Sequence, residues 1–243
     1  MPDTPIDLIA RKAIARGVSD IAAMGGSPTW ALAAAKLPAA YAHADELFER
    51  CAHWALHWGC PLVGGDIASS DFELALSITV AGRTHPTRGP VLRSGAKAGD
   101  LVGVTGPIGD SFVSGWHLTF QPRLSEARAL CGELGTDLHA MIDISDGLGL
   151  DAERLASASG VVIEIAEERV PRRDGSSAPW QELFAHGEDH ELLVTFAPSA
   201  PPPRLLSVIG TVRRTEPGET PGAWVVLPGQ DRFPCSSMGW DHT

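Results

Sequence analysis

Apolar residues recur every three or four positions near the start of the chain, and this spacing predicts a helix over residues 6–24. Two glycines and a proline within residues 25–28 interrupt the pattern. The alanine-rich stretch that follows predicts a second helix over residues 30–36, and a third is predicted over residues 44–58. The first quarter of the chain is therefore expected to be mainly helical.

Two stretches after these helices carry strand patterns. Residues 61–63 form a short apolar run that leads directly into Gly64, Gly65 and Asp66. Residues 72–80 alternate apolar and polar side chains, which is typical of a strand with one buried face. We expect the apolar face of this second strand to pack on another part of the protein or on a second copy.

A break in the hydrophobic pattern at residues 83–90, which contain two prolines and a glycine, predicts a boundary between domains 1–86 and 87–243. The second domain mixes predicted strands and helices, so the fold class is α/β (α+β) with two domains. The predicted strands cover residues 100–104, 161–165, 192–196, 205–212 and 224–227. One predicted helix begins at Ser111, and two others cover residues 125–134 and 148–158.

Composition and charge narrow the class of protein. The 243 residues are 44% hydrophobic and 20% charged, which is typical of a globular chain. The formal net charge of −11 argues against a protein that binds the nucleic-acid backbone, because that surface requires a cationic footprint. An acidic protein still binds phosphate groups when a metal cation lies between carboxylate and phosphate.

Cysteine usage and the N-terminal pattern indicate the compartment. The four cysteines contain no CxxC pair, so we expect them to be reduced rather than paired in disulfides. The N-terminus lacks the layout of a signal peptide, and the longest uncharged stretch, residues 21–35, is too short to span a bilayer. The sequence therefore predicts a soluble, cytoplasmic protein with no membrane partner.

Five acidic positions share one layout, in which a carboxylate follows an apolar run and sits beside small residues. Glycines allow a ligand to approach the backbone closely, and carboxylate oxygens suit hard divalent cations. An aspartate beside glycine is also a common turn residue or helix cap, and for any single position that interpretation comes first. The pair with the closest spacing is harder to explain as a cap, because like charges three residues apart call for a nearby cation. The positions are Asp20, Asp66, Asp143, Asp146 and Glu188.

Two loops could contact an anion. Arg93 and Lys97 flank a glycine turn, which fits either a phosphate clamp or a solvated hairpin. Residues 105–111 offer backbone amides at the start of a predicted helix, but they lack the Gly-Lys-Ser/Thr ending of a P-loop.

Other chemistry is weakly supported. His53 and His57 have the i, i+4 spacing of metal ligands, but no glutamate follows the first, and helix-surface histidines are the better interpretation. No nucleophile elbow or reactive-cysteine motif is present, so we assign no covalent catalytic residue. The aromatic end, residues 238–242, is predicted to be a frayed tail rather than a lid.

Read in order, the motifs VSDIAAMG (18–25), LVGGD (62–66), IDISDG (142–147) and HGEDHEL (186–192) resemble thiamine-monophosphate kinase. That family is part of the superfamily that includes aminoimidazole ribonucleotide synthetase. The resemblance covers almost the whole chain. Further matching stretches are RSGAK…GD (93–100), VTGPIGDS (104–111), QPR (121–123) and GWDH (239–242).

The resemblance implies a two-domain fold like that of the synthetase, a homodimer, and transfer of phosphate from ATP to thiamine monophosphate with Mg²⁺. It implies three groups of site residues, carried over position by position. The metal ligands would be Asp20, Asp66, Asp143 and Asp146; the ATP contacts would be Gly65, Asp66, Arg93 and Ser145; and the thiamine end would be held by Glu188 and Trp240.

The chain departs from the family pattern in several places. Family members have roughly fifty further residues before these motifs, which would complete an N-terminal domain of ordinary size. Those residues carry Gly-Asp-Asp and Thr-x-Asp segments. The usual GGEDYEL is HGEDHEL here, Ile67 stands where threonine is common, and Thr243 replaces a final phenylalanine. We therefore expect a truncated N-terminal domain, and a chain that binds Mg–ATP but turns over thiamine monophosphate poorly.

Two alternatives to an active kinase follow. The chain could be a catalytically impaired homologue that acts as a nucleotide-binding or dimerisation module. It could also be a member of the superfamily that acts on another small molecule, since fold does not determine substrate. Glu188 and Trp240 at thiamine-side positions disfavour the latter.

Overall fold

The computed structural model describes residues 4–229 and 231–240. The first part of the chain forms one sheet, in the strand order β2-β1-β3, with helices packed on one of its faces. β1 pairs parallel with β2 and antiparallel with β3. The elements are α1 (Ile6–Ala23), β1 (Ser27–Pro38), α2 (Ala44–His57), β2 (Leu62–Ser70) and β3 (Ala75–Arg83).

The helix predicted over residues 30–36 is wrong, because this segment is the central part of strand β1. Alanine favours helices in isolation, but here the backbone is hydrogen-bonded on both sides, to β2 and to β3. Ala31 and Ala33 are buried toward the helices, whereas Trp30 and Leu32 are exposed on the opposite face. Small side chains on the buried face allow α1 and α2 to lie close to the sheet.

The strand predicted at residues 72–80 is placed three residues too early. Phe72 lies in a turn and is 82% exposed, and β3 begins at Ala75. The alternating residues Leu76, Ile78 and Val80 pack against the buried core formed by α1 and α2. The apolar face of β3 is therefore covered within the chain, which removes the reason we gave for its packing on a second copy.

The second part of the chain forms a larger, mainly antiparallel sheet in the order β10-β9-β6-β8-β4-β7-β5. Helices cover it and enclose two further hydrophobic cores. The strands are β4 (Leu101–Val104), β5 (Leu138–Asp143), β6 (Val162–Ala166), β7 (Leu192–Phe196), β8 (Ser207–Arg213), β9 (Gly222–Val226) and β10 (Arg232–Pro234). The helices are α3 (Trp116–Thr119), α4 (Leu124–Leu134), α5 (Leu148–Ser159) and α6 (Trp180–Ala185).

The mixed α/β class is confirmed, but three local predictions in this part need correction. The helix expected from Ser111 is a turn, and α3 begins only at Trp116. Strand β5, which ends at Asp143, was not predicted because its six residues have neither a clear alternation nor a long apolar run. The C-terminal segment is not frayed up to residue 240: Met238 packs against the core, and the Trp240 N–H donates to the Asp146 carbonyl at 2.9 Å. Residues 241 and 242 lie outside the described residues.

Helix α1 joins the two parts. The Arg11 guanidinium donates to the Leu118 and Phe120 carbonyl oxygens at 2.8 and 2.6 Å. Near the other end of the helix, Ser19 Oγ donates to Asp143 at 2.7 Å. These contacts hold α1 against the end of α3 and the end of β5 in the second part of the chain. The boundary between domains 1–86 and 87–243 falls between β3 and β4 and stays a prediction.

Other expectations concern side chains outside these contacts. Within the described residues, the four cysteines are buried and none forms a disulfide, as predicted. His53 and His57 are exposed on α2, in agreement with a helix-surface role. None of the helices in residues 4–229 and 231–240 is both long and apolar enough to cross a membrane.

Candidate functional site

A cavity of about 480 Å³ lies where the end of α1, residues 91–94, the end of β5 and the start of α5 meet, and we call it the central cavity. Four residues singled out from the sequence line it: Asp20, Arg93, Asp143 and Ser145. They come from separate segments of the chain, so the fold places two carboxylates, a guanidinium and a hydroxyl around one space. Such a set can hold a cation and an anion together.

Asp143 is a buried carboxylate of this cavity. Its Oδ2 accepts from Ser19 Oγ at 2.7 Å and lies 3.2 Å from His190 Nδ1. Asp20 is exposed at the cavity, but desolvation and the charge of Asp143 raise its pKa to about 6, with partial opposition from His190 and Arg16. Two carboxylates that disfavour each other's charge provide a setting that a divalent cation stabilises.

Asp146 lies beside the central cavity in a network that the sequence did not reveal. Asp151 Oδ2 accepts from the Ser145 and Asp146 backbone N–H groups, each at 2.9 Å. Arg154 Nη1 donates to Asp151 Oδ1 at 2.8 Å and also to Asp146 Oδ2. Burial raises the pKa of Asp151 to about 6 despite these bonds. The sequence signal for this network was the pair Asp151 and Arg154, an acid and a base three residues apart on α5.

Burial would raise the pKa of Glu188, but the hydrogen bonds and positive charges of its neighbours outweigh burial and lower the pKa to about 2. The carboxylate lies 3.0 Å from Lys12 Nζ and 3.2 Å from His190 Nε2. The Glu188 backbone has a φ of +68°, and its N–H donates to the Ser145 carbonyl at 2.8 Å. Glu188 is thus fixed to the turn whose residue Ser145 lines the central cavity.

His190 connects the two carboxylates. Its Nδ1 faces Asp143 and its Nε2 faces Glu188, while the ring stacks on Phe120 with centroids 3.9 Å apart. Burial alone would lower the pKa of His190, but hydrogen bonds to both acids raise it. The histidine of the HGEDHEL motif therefore occupies the centre of the site, although the sequence marked it only as a departure from tyrosine.

The neighbouring Asp189 is structural. It is buried and accepts from the Gly109 N–H at 3.0 Å, from Ser111 Oγ at 2.6 Å and from Arg173 at 2.9 Å. The loop at residues 105–111, which we considered for an external anion, thus directs these two donors at the protein's own carboxylate. This contact orients the segment that carries Glu188 and His190.

Gly65 and Asp66 lie elsewhere. They line a recess of about 410 Å³ on strand β2, together with Phe48 and Ile67. A Cβ on Gly65 would overlap the Ala33 carbonyl oxygen, so the close pairing with β1 requires glycine there. The structure does not bring Asp66 into the central cavity with Asp20 and Asp143.

Trp240 is 67% exposed, but its backbone is bound to the Asp146 carbonyl. Glu188 is bound to the adjacent Ser145 carbonyl. The two residues expected at the thiamine end therefore flank a single turn, residues 145–146. A second cavity of about 910 Å³ is lined in part by Lys12, the residue that pairs with Glu188.

The donor set fits magnesium only with help from a ligand. Among the described residues, no group of three or more His, Cys, Asp or Glu side chains is placed to hold a metal ion. Mg²⁺ is usually bound by one or two carboxylates together with phosphate oxygens and water. Asp20 and Asp143 meet that requirement if a nucleotide supplies the remaining oxygens.

Glu188→Gln is expected to destabilise the protein by about 2–3 kcal/mol at pH 7, because the carboxylate is stabilised by Lys12 and His190. A folded-state pKa near 2, against an ordinary value of 4.5, means that this stabilisation is complete above pH 4.5 and is lost as the pH falls toward 2. Denaturant unfolding at several pH values measures it. Glu126→Gln, which removes an ordinary pair with Arg123, should cost less than about 1 kcal/mol. A Glu188→Gln difference that does not shrink below pH 4.5 would contradict this assignment.

Comparisons with known proteins identify the family and the fold. Residues 2–84 match the family model "AIR synthase related protein, N-terminal domain", and residues 108–213 match "AIR synthase related protein, C-terminal domain". The fold is also similar to that of AaThiL complexed with AMPPCP and TMP, with a TM-score of 0.82 and 28% identity, over 100% of this chain and 82% of that one. A HypE–HypF complex, at 19% identity and a TM-score of 0.74, shares the fold over 93% of this chain and 83% of that one.

Relatives named thiamine-monophosphate kinase match most of the sequence. The Rhodopirellula baltica protein is 37% identical over 78% of this chain and 61% of its own length. The Mycobacterium tuberculosis protein is 35% identical over 82% and 66%, so the chain spans less than two thirds of either relative. The Aquifex aeolicus protein is 31% identical over 97% of this chain and 81% of its own length. The chain belongs to the thiamine-monophosphate kinase family.

Proposed function

We propose that the chain transfers the terminal phosphoryl group of ATP to thiamine monophosphate, which gives thiamine diphosphate, and that it requires Mg²⁺. The observation that carries the proposal is the convergence of Asp20, Asp143, Arg93 and Ser145 on the central cavity. The names of the relatives and the nucleotide analogue in the similar AaThiL structure support it.

The residues divide the work by chemistry. Asp20 and Asp143 would hold Mg²⁺, which neutralises charge on the phosphates during transfer. Arg93 and Ser145 would donate hydrogen bonds to phosphate oxygens and fix their position. Phosphoryl transfer needs positioning and charge neutralisation more than a protein nucleophile, which agrees with the absence of a nucleophile motif from the sequence.

We assign the remaining residues by the motif matches. Asp146 is proposed as a further metal ligand, and the LVGGD match supports Asp66 as a metal ligand and Gly65 as an ATP contact. Glu188 and Trp240 are proposed to hold the thiamine end. A carboxylate and an exposed indole are a suitable pair for a cationic ring, through charge and cation–π attraction.

Release of ADP from ATP, measured with and without thiamine monophosphate and Mg²⁺, tests the proposal. We expect release only when both are present, with thiamine diphosphate formed in equal amount. ADP release that does not depend on thiamine monophosphate would show a different acceptor, and the reaction product would then identify it.

The position of Asp66 favours one second candidate. Because Asp66 and Gly65 lie outside the central cavity, a chain that binds Mg–ATP without turnover, as a nucleotide-binding module, remains the alternative. Saturable binding of Mg–ATP together with no detectable thiamine diphosphate would support it over the kinase.

We also propose a homodimer formed through the sheet of β1, β2 and β3. Trp30 and Leu32 of β1 are 40% and 37% exposed on the face of the sheet opposite α1 and α2. A symmetric interface commonly covers such surface. Light scattering at micromolar concentration should give twice the monomer mass of 25.6 kDa, and Leu32→Glu should lower it. A monomeric parent chain would contradict this proposal.

A further inference from the structure

Arg154 is placed to interact with a ligand in the central cavity, and no role has yet been assigned to it. It lies on α5, its side chain is 34% exposed, and it lines the central cavity together with Arg93, Asp20 and Asp143. Two guanidinium groups therefore border the same space as three carboxylates, those of Asp20, Asp143 and Asp151. A phosphate group is the ligand chemistry that two guanidinium groups favour.

Arg154 is also the counter-ion of a proposed metal ligand. Its Nη1 donates to Asp146 Oδ2, the carboxylate next to the Ser145 turn. An oxygen that accepts a close hydrogen bond from a guanidinium is poorly placed to bind Mg²⁺ at the same time, because the two cations repel each other. Binding of a metal through Oδ2 of Asp146 therefore requires Arg154 to release that oxygen.

Release of Asp146 would not set Arg154 free in solution. Asp151 Oδ1 accepts from the same Nη1 at 2.8 Å, and Asp151 itself is 1% exposed and fixed by the Ser145 and Asp146 backbone amides. Asp151 therefore serves as a fixed anchor for the guanidinium. The guanidinium carries additional N–H donors on Nη2 and Nε, which a phosphate can accept.

We propose that Arg154 exchanges partners: without metal it neutralises Asp146, and with Mg–nucleotide in the central cavity it donates to a phosphate while the metal takes Asp146. The inference rests on the proposed function, since it places the nucleotide in the same cavity. It adds a phosphate-binding residue, and it gives a reason why a metal-free site with several acids remains electrostatically balanced.

The exchange predicts opposite effects of one substitution on two ligands. Arg154→Gln removes the cation that competes with a metal for Asp146, so the affinity for Mn²⁺ alone should rise by about 3-fold or more. This is the change in affinity that corresponds to the loss of one partly exposed ion pair. The same variant loses a charged donor to phosphate, so Mg–AMPPCP should bind about 10-fold more weakly. A purely structural role for Arg154 would weaken both.

The experiment is calorimetric titration of the full chain with Mn²⁺ alone and with Mg–AMPPCP. Arg172→Gln is the matched control, because Arg172 is 31% exposed and pairs with Glu167 at 2.6 Å without lining the central cavity. Both of its affinities should stay within about 2-fold of the parent. Arg154→Lys keeps the positive charge but lacks the planar set of N–H donors of a guanidinium group, so this variant should bind Mn²⁺ like the parent and Mg–AMPPCP more weakly. It gives an independent test if Arg154→Gln does not fold.

The outcomes separate the inference from the proposed function. A parent chain that binds both ligands, with an Arg154→Gln variant that weakens both or leaves the Mg–AMPPCP affinity unchanged, would overturn the inference alone. The same holds for an Arg154→Lys variant with parent-like affinity for Mg–AMPPCP. A parent chain that binds neither Mn²⁺ nor Mg–AMPPCP would overturn the proposed function and this inference with it.

Discussion

Asp143→Asn should lower the rate of thiamine diphosphate formation by about 10²–10³-fold, the usual cost of one lost electrostatic contact at a reacting phosphate. Asp143 is a buried carboxylate of the central cavity, and its neighbours Ser19 and His190 hold it in place. Asparagine has nearly the same shape but carries no charge. The loss should therefore appear in turnover and in metal affinity, and a steady-state assay at several Mg²⁺ concentrations measures both.

Asp137→Asn is the matched control, because Asp137 directly precedes β5 and Asp143 ends it. The same chemical change at the other end of one strand should leave turnover within about 2-fold of the parent, as is usual for substitutions away from the reacting groups. If Asp143→Asn retained parent-like turnover while remaining folded, the metal would have to be bound elsewhere.

Gly187→Ala should lower turnover by about 10²-fold, although residue 187 is not proposed to touch substrate. A Cβ at this position would overlap the Ser145 carbonyl oxygen and lie 3.0 Å from the Asp146 backbone. A backbone atom cannot relieve this overlap by a change of rotamer, so residues 145–146 and the segment that carries Glu188 must move apart. Displacements of about 1 Å at a reacting centre typically cost about 100-fold in rate.

The matched control is Gly132→Ala on α4, where a Cβ would meet nothing within 4 Å. That substitution should leave activity unchanged and stabilise the helix by about 0.5–1 kcal/mol, because alanine restricts the unfolded chain. Turnover and the free energy of unfolding, measured on both variants, separate a local displacement from a general loss of stability. A Gly187→Ala variant with parent-like turnover would show that the two segments need not be in close contact.

The sequence pattern predicted those elements whose periodicity comes from a local amphipathic face. Helices α1, α2, α4 and α5 were placed within a few residues, because each buries one face against a sheet or a neighbouring helix. Strand β1 was mistaken for a helix, because its alanines are good helix formers and only the pairing with β2 and β3 decides the outcome. Strand β5 was missed because it is short and almost wholly buried.

The site was predicted only where residue type and neighbouring glycines or apolar runs identify a ligand. Asp20, Asp143 and Arg93 were singled out in this way, Ser145 was assigned only through the family resemblance, and the four residues lie around one cavity. His190 and Arg154 were not assigned a role, because their importance depends on partners far away in the chain or on the packing of a helix against a turn. No local pattern encodes such contacts.

The location of the metal in the ligand-bound protein is the most direct test of the proposal that Asp20 and Asp143 bind Mg²⁺ in the central cavity. Crystals of the chain grown with Mn²⁺ and AMPPCP, measured at a wavelength where manganese scatters anomalously, would show where the cation binds. We expect an anomalous peak within coordination distance, about 2.0–2.2 Å, of carboxylate oxygens of both Asp20 and Asp143. A peak confined to Asp66 on strand β2, or none in the central cavity with AMPPCP bound elsewhere, would contradict it.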